Sequence, residues 1–287
     1  MIPKKIHYCW LSGEEMPLWL KKCMKTWKDV MPDYELVLWD KKKFDVTSLA
    51  FLEESCKVKR WAFAADYIRL YALYNEGGIY LDTDVIIKKR FDDFLIHDFF
   101  SGIEWHYGML RKKYIRQLQY KDKVPDIIPE TPWIGIQAAI MGSMAGHPFL
   151  KDCLDWYQDN EHSIQPEKII TDEPVFEVLA PEVYATIALK YGFQYKNLKQ
   201  ELLQNIVIYP SSTFAGNVHQ AAGSNYAIHC CATGWRERKK NLYEKFKQNK
   251  LYKKLAQNML LRKLLGKKPL QEQIDSFDIF QKFYDLI

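Results

Sequence analysis

A chain of 287 residues with 48% apolar and 15% aromatic side chains can bury a large core, which excludes a disordered polypeptide. Its net charge of +5 is unevenly spread. Arg236 to Lys268 holds 13 basic residues against Glu237 and Glu244, a local +11 that leaves the rest of the chain at −6.

Lys4 to Trp10 (KKIHYCW) reads as an opening strand ending near Ser12-Gly13, and Leu18 to Val30 has helical spacing. Tyr34 to Trp39 is a second strand and Phe51 to Lys57 a short helix, an order that predicts a parallel sheet wrapped by helices. A long helix from about Lys59 to Glu76 stops at Gly77-Gly78, where glycine takes a left-handed conformation without strain. Ile79 to Leu81 follows as an apolar strand, with Val85 to Ile87 expected to continue it. Further strands are predicted at Phe99 to Ile103, Ile136 to Met141 and Ile206 to Tyr209, and helices at Pro148 to Asn160 and Pro174 to Tyr191. The charge shift places a boundary near Trp235, between an α/β body (1–235) and a helical basic appendage (236–287). Cys9, Cys23, Cys56, Cys153, Cys230 and Cys231 form no C-x-x-C pair, and the vicinal last two cannot easily close a relaxed disulfide, so reduced thiols are expected. No run of about 18 uncharged apolar residues occurs and MIPKKIHYCW lacks a signal-peptide core, so the expected compartment is the cytoplasm.

Trp61 to Val85, WAFAADYIRLYALYNEGGIYLDTDV, carries the chemistry. Asp82 and Asp84 stand at the end of an apolar strand, where α/β proteins bind ligands, and two hard oxygen donors there suit Mg²⁺ or Mn²⁺ carrying a pyrophosphate. Within Trp61 to Asn75 of the preceding helix only Asp66 and Arg69 are charged, three residues apart and so on one face. They read either as a local ion pair or as a pair facing sugar hydroxyls and a diphosphate. Apolar strand followed by Asp-Thr-Asp-Val also fits a haloacid dehalogenase-type phosphatase, with Asp82 as nucleophile and Asp84 as acid/base. That motif normally sits on the first strand of its fold, whereas here some 80 residues precede it.

The order of these features resembles glycosyltransferase family 32, the DXD sugar transferases that include capsular-polysaccharide enzymes, and more distantly the glucosylating domain of large clostridial toxins. The resemblance starts at Ile2 to Trp10, passes through Trp27, Pro32, Tyr34 and Trp39-Asp40, is densest over Ala62 to Val85, and returns at His229 to Trp235. It implies a GT-A type fold: a Rossmann-like mixed sheet flanked by helices. It implies that Trp10 stacks on the nucleobase, although a core aromatic fits the same position. Asp66 and Arg69 would hold the donor sugar and its phosphates, Asp82 and Asp84 would form the DXD, and His229 would join them on the metal, if it is not simply a satisfied core histidine. Trp235 would close over the diphosphate, with Gly234 standing where the family usually has serine. Glu104 and Gln137 fall where the family places polar groups near the transferred sugar, glutamine replacing the usual asparagine. Asp172 and Glu173 are further candidates, although Thr-Asp-Glu-Pro also makes a helix-capping sequence.

The implied chemistry is transfer of a hexose from a nucleotide-sugar, preferably a UDP-sugar, with retention and with Mn²⁺ or Mg²⁺ as cofactor. The acceptor would be a saccharide, free or lipid-linked. A sugar-binding scaffold without activity would lack the donor-site residues, and all but the late serine are present. In the appendage, Leu242, Phe246, Leu251, Leu255 and Met259, then Ile274, Phe277, Phe280, Phe283 and Ile287, recur at helical spacing. These stripes pack on the body or, with the lysines, hold the enzyme peripherally on the anionic inner face of the cytoplasmic membrane. No nucleic-acid motif accompanies the charge.

Overall fold

The computed structural model describes residues 1–105, 134–161, 164 and 179–231, all within the compact unit Met1–Cys231. Trp235, Asp172, Glu173 and the expected appendage 236–287 lie outside the described residues.

Alternation of burial builds the first half. β1 (Lys5–Cys9) and α1 (Leu18–Val30) are followed by β2 (Glu35–Trp39), and α1 buries Leu20, Cys23 and Trp27, three and four residues apart, on one stripe. α2 (Ala50–Lys57) and α3 (Trp61–Glu76) come next; α3 starts later than the sequence suggests because Lys59 takes a φ of +59° that no helix tolerates. Gly77 and Gly78, with φ of +62° and +114°, end α3 and turn the chain directly into β3 (Gly78–Leu81).

Here the structure corrects an expectation. β4 (Val85–Ile87) does not continue β3 but belongs to a second sheet. The Val85 N–H donates to the Asp82 carbonyl at 3.0 Å, closing a turn over Asp82 to Asp84 that passes the chain from one sheet to the other.

β5 (Phe99–Trp105), β6 (Ile134–Ser143), α4 (Pro148–Asp159), α5 (Ala180–Ala188), β7 (Gln200–Leu202) and β8 (Ile206–Tyr209) complete the main body. α5 begins only after an extended Leu179 (φ −96°, ψ 135°), later than the expected start at Pro174, which lies outside the described residues. The main sheet has seven strands in the order β2-β1-β3-β6-β5-β8-β7. β1 is parallel to β2 and β3, β5 to β8, while β6 and β7 run antiparallel to their neighbours. It is the expected Rossmann-like mixed sheet flanked by helices. The smaller sheet sets β4 antiparallel to β10 (Ala227–His229), which runs parallel to β9 (Phe214–Ala215).

Strand alternation sends Tyr80, Phe99 and Met141 to a core under α2 to α5, and Ile79, Leu81, Phe100 and Ile140 to a second core with Trp27, Phe91 and Phe214. At the centre, Gly142 must lack a side chain, since a Cβ there would lie 2.2 Å from the Phe100 ring. Among the described residues no helix is long and apolar enough to cross a membrane.

Candidate active site

Sheet direction gathers the candidates at one edge. β1, β3 and β5 all run the same way relative to antiparallel β6, so Trp10, Asp82 and Glu104 sit at or just beyond their carboxyl ends. Leu81 pairs with Ile140, the Asp82 N–H donates to the Ala139 carbonyl at 2.9 Å, and Ile103 opposes Ile136, which brings Gln137 to the same edge. That is where α/β sheets bind ligands.

Asp82 is held on one oxygen and open on the other. Its Oδ1 accepts from the Tyr80 hydroxyl at 3.0 Å and from Arg69 at 3.3 Å, while Arg69 also reaches Asp66 at 2.9 Å. The Arg69 side chain is only 4% exposed, with its guanidinium 4.8 Å from the Tyr80 ring. Burial opposes its charge, and Asp82 and Asp66 more than restore it. The local ion pair of Asp66 and Arg69 therefore exists, and it extends to Asp82. With both terminal nitrogens engaged by carboxylates, Arg69 orients Asp82 from beneath. Burial also keeps the Tyr80 phenol a proton donor and pushes the Cys9 thiol beside it up to about 12.

Asp84 and His229 come together through the second sheet. β10 pairs with β4 so that His229 faces Val85, and the Cys230 N–H donates to the Asp84 carbonyl at 3.0 Å. His229 Nε2 then lies 3.4 Å from Asp84 Oδ1 and 3.9 Å from Asp82 Oδ2. One ligand atom from each of Asp82, Asp84 and His229 falls within 4.8 Å of the others. Burial disfavours charge on His229, but the Cys231 sulfur and the Asp84 carboxylate outweigh it and raise the ring well above the usual histidine range. From below, the wholly buried Trp27 donates its indole N–H to the Val85 carbonyl at 2.7 Å, anchoring β4 next to the DXD.

The remaining candidates divide. Trp10 is half-buried and outside both cores; its N–H donates to the Trp39 carbonyl and its indole to the Glu14 carbonyl at 2.7 Å. Gln137 is fully buried, and neither end of its amide has a partner among the described residues. A Cβ at Gly216 would lie 3.9 Å from both Gln137 Nε2 and Glu104 Cγ, so these three face one another. A buried amide without partners costs free energy unless something polar meets it.

Sequence reasoning missed Tyr80, Tyr184, whose hydroxyl donates to the Asp66 carbonyl at 3.2 Å, and Cys231. Tyr80 carries a signal in retrospect, since a strand residue two before Asp82 shares its face.

The donor set suits a divalent cation. Two carboxylates and an imidazole are a donor set that Mn²⁺ accepts.

Residues 17–101 match the family model described as the glycosyltransferase sugar-binding region containing a DXD motif. Inositol phosphoceramide mannosyltransferase 3 of Schizosaccharomyces pombe is 32% identical over 153 residues, which cover 52% of this chain and 35% of that protein. An uncharacterized glycosyltransferase of Acanthamoeba polyphaga mimivirus is 34% identical over 109 residues, covering 35% of this chain and 42% of its own. The chain thus spans about a third to two fifths of the length of these relatives. Among solved structures, the PaToxG glycosyltransferase is 17% identical with a TM-score of 0.41, over 66% of this chain and 68% of its own. Residues 17–101, which hold Asp66, Arg69, Asp82 and Asp84, are thus similar to the sugar-binding region of glycosyltransferases that contains a DXD motif.

Proposed function

We propose that this protein is a retaining glycosyltransferase that moves a hexose from a nucleotide-sugar to a saccharide or lipid-linked saccharide acceptor. The observation that carries this reading is the convergence of Asp82, Asp84 and His229 beside the Asp66–Arg69–Asp82 relay. Asp84, His229 and the open Oδ2 of Asp82 would hold Mn²⁺ or Mg²⁺, which supplies charge stabilisation to a departing nucleoside diphosphate. Arg69 and Tyr80 fix Asp82, so the site needs little reorganisation when the donor arrives. In this reading Asp66 would accept from sugar hydroxyls, Trp10 would stack on the base, and Gln137 with Glu104 would meet hydroxyls of the transferred ring. In retention the acceptor hydroxyl attacks from the leaving-group face, with a donor phosphate oxygen as base, so no protein nucleophile is required. The commitment of Asp82 Oδ1 to Arg69 and Tyr80 favours this role over that of a phosphatase nucleophile.

UDP is the preferred nucleotide; to galactose, glucose and their N-acetyl forms the relatives' names add mannose. The same names, with the basic stretch 236–268, favour a lipid-linked acceptor reached from the inner face of the cytoplasmic membrane, as in capsular polysaccharide assembly. A thermal-shift screen of UDP- and GDP-hexoses with and without Mn²⁺ tests the donor, because ligand at 100 times its dissociation constant adds about 2.7 kcal/mol. Failure of every hexose nucleotide both to stabilise the fold and to be hydrolysed would end the assignment. Trp10→Ala should cost UDP binding about 1 kcal/mol in calorimetry; unchanged affinity would make Trp10 merely structural.

A further inference from the structure

The pairing of β5 with β6 breaks in the middle. Ser101 opposes Met141, yet the next pair is Ile103 with Ile136, so the four residues 137–140 of β6 stand against the single Gly102 of β5. This is a bulge of three extra residues. An odd number of extra residues reverses the faces to which the side chains of a strand point. Ile136, Ala138 and Met141 all enter the core under α2 to α5, although Ile136 and Met141, five apart, would lie on opposite faces of an unbroken strand. Gln137, four before Met141, would in that unbroken strand share Met141's face and carry its amide into the apolar core. The bulge turns it to the other face. There a Cβ at Gly102 would lie 3.3 Å from Gln137 Oε1 and 3.1 Å from the Phe214 ring, and one at Gly216 would lie 3.9 Å from Gln137 Nε2.

A bulge interrupts the ladder, and its carbonyls need other partners. On the β3 side the pairing persists, with Leu81 opposite Ile140 and the Asp82 N–H on the Ala139 carbonyl. The edge toward β5 is held instead by Ser101. Its wholly buried hydroxyl lies 2.8 Å from the Gln137 carbonyl and 2.9 Å from the Ile140 carbonyl, so one proton is shared between the two ends of the bulge. The residue whose backbone is held in this way is the one whose amide has no partner at either end among the described residues. Nothing but the backbone is seen to aim that amide.

We propose that Ser101 is a positioning residue that sets the β6 bulge so that the Gln137 amide points at the transferred hexose. The proposal rests on reading the site as one that binds a nucleotide-hexose; Ser101 acts through Gln137 and not on the sugar.

Ser101→Ala removes the shared proton, Ser101→Thr keeps it, and Gln137→Leu removes the amide with little change in volume. Hydrolysis of UDP-glucose, UDP-galactose and GDP-mannose by the full chain is followed with Mn²⁺, using whichever of them the wild type accepts. In Ser101→Ala kcat/KM should fall about 10–100-fold, as when a reacting group is misplaced, while competitive inhibition by the matching nucleoside diphosphate stays unchanged. In the Gln137→Leu background the same substitution should cost less than about 2-fold, because the group it positions is gone. The side-chain NH₂ signals of Gln137 in ¹⁵N-glutamine spectra, identified by their loss in Gln137→Leu, should move in Ser101→Ala and stay in place in Ser101→Thr. An equal kinetic loss in both backgrounds, unmoved NH₂ signals in Ser101→Ala, or a folded Ser101→Thr protein that behaves like alanine overturns the proposal. Ser101→Cys, a poor donor, takes the place of alanine should thermal melting show that variant unfolded. If the wild type hydrolyses none of the three donors, the donor reading fails and takes the sugar role with it, and the NH₂ signals still judge whether Ser101 aims the amide.

Discussion

His7 and His229 are both strand histidines with both ring nitrogens engaged, yet their surroundings differ in kind. His7 is wholly buried; Trp39 Nε1–H donates to its Nδ1 at 3.0 Å, and its own Nε2–H donates to the Gly77 carbonyl at 2.7 Å. One donor meets one acceptor on each side, all neutral, and nothing is left over. Around His229, among the described residues, two carboxylates face one imidazole, and Arg69 is bound on the far oxygen of Asp82. A group whose partners complete it holds the fold together. A group whose partners leave a surplus is waiting for something from outside.

Four measurements sharpen or break this contrast. The largest effect should come from Asp84→Asn, which removes one unit of the surplus: transfer should fall at least about 100-fold, as when a well-placed electrostatic contact is deleted. Without metal the variant should melt no higher than wild type, since the Asp84 carboxylate favours the charged His229 ring in the folded protein. Wild-type turnover with saturating Mn²⁺ would remove Asp84 from the chemistry.

His7→Ala should do the reverse. It leaves the Trp39 indole N–H and the Gly77 carbonyl buried without partners and opens a cavity, a loss of about 2–4 kcal/mol in urea unfolding. Mn²⁺ affinity of the folded fraction should not change; a parallel loss would show that the two histidines are coupled.

Third comes acid. Burial lowers the pKa of His7 in the folded protein. Below the unfolded value of about 6.5 the unfolded chain therefore binds a proton that the native ring refuses, and stability falls as the pH drops from neutrality. His7→Asn should flatten part of that slope, and an unchanged slope would mean His7 accepts a proton in place.

The smallest effect belongs to the exposed cluster of Lys4, Asp33, Arg90 and Asp92, where hydrogen bonds from Lys4 and then Arg90 lower Asp33 to about 2. A depressed carboxylate stabilises above its unfolded pKa and loses that contribution as pH falls from about 4 toward 2. Being exposed and screened, this cluster should respond to salt, and Asp33→Asn should move the melting temperature less than any change above. A larger shift than that of His7→Ala would overturn the ranking.

Much of the fold was legible because the signals were local. Apolar stripes predicted α1, paired glycines the end of α3, and an apolar run the strand before Asp82. What could not be read was where β4 went: Val85 to Ile87 is apolar in either sheet, and only its partner, β10, decides. The site was legible as residue types, with Asp66, Arg69, Asp82, Asp84 and His229 all named, but not as a relay. That Arg69 lies beneath Asp82 rather than at an open surface depends on Tyr80, whose hydroxyl looked like one more core aromatic.

The register that sets His229 against Val85 joins points about half the chain apart. The entropy of closing such a loop grows only as the logarithm of its length, yet contacts of this separation reward the chain only after intervening strands have formed. The candidate cation site is therefore absent from a chain still emerging from synthesis, and it is completed late. A ligand spanning Asp84 and His229 then acts as a clasp on everything between them: it retards opening of the finished molecule and leaves the speed of its formation unchanged.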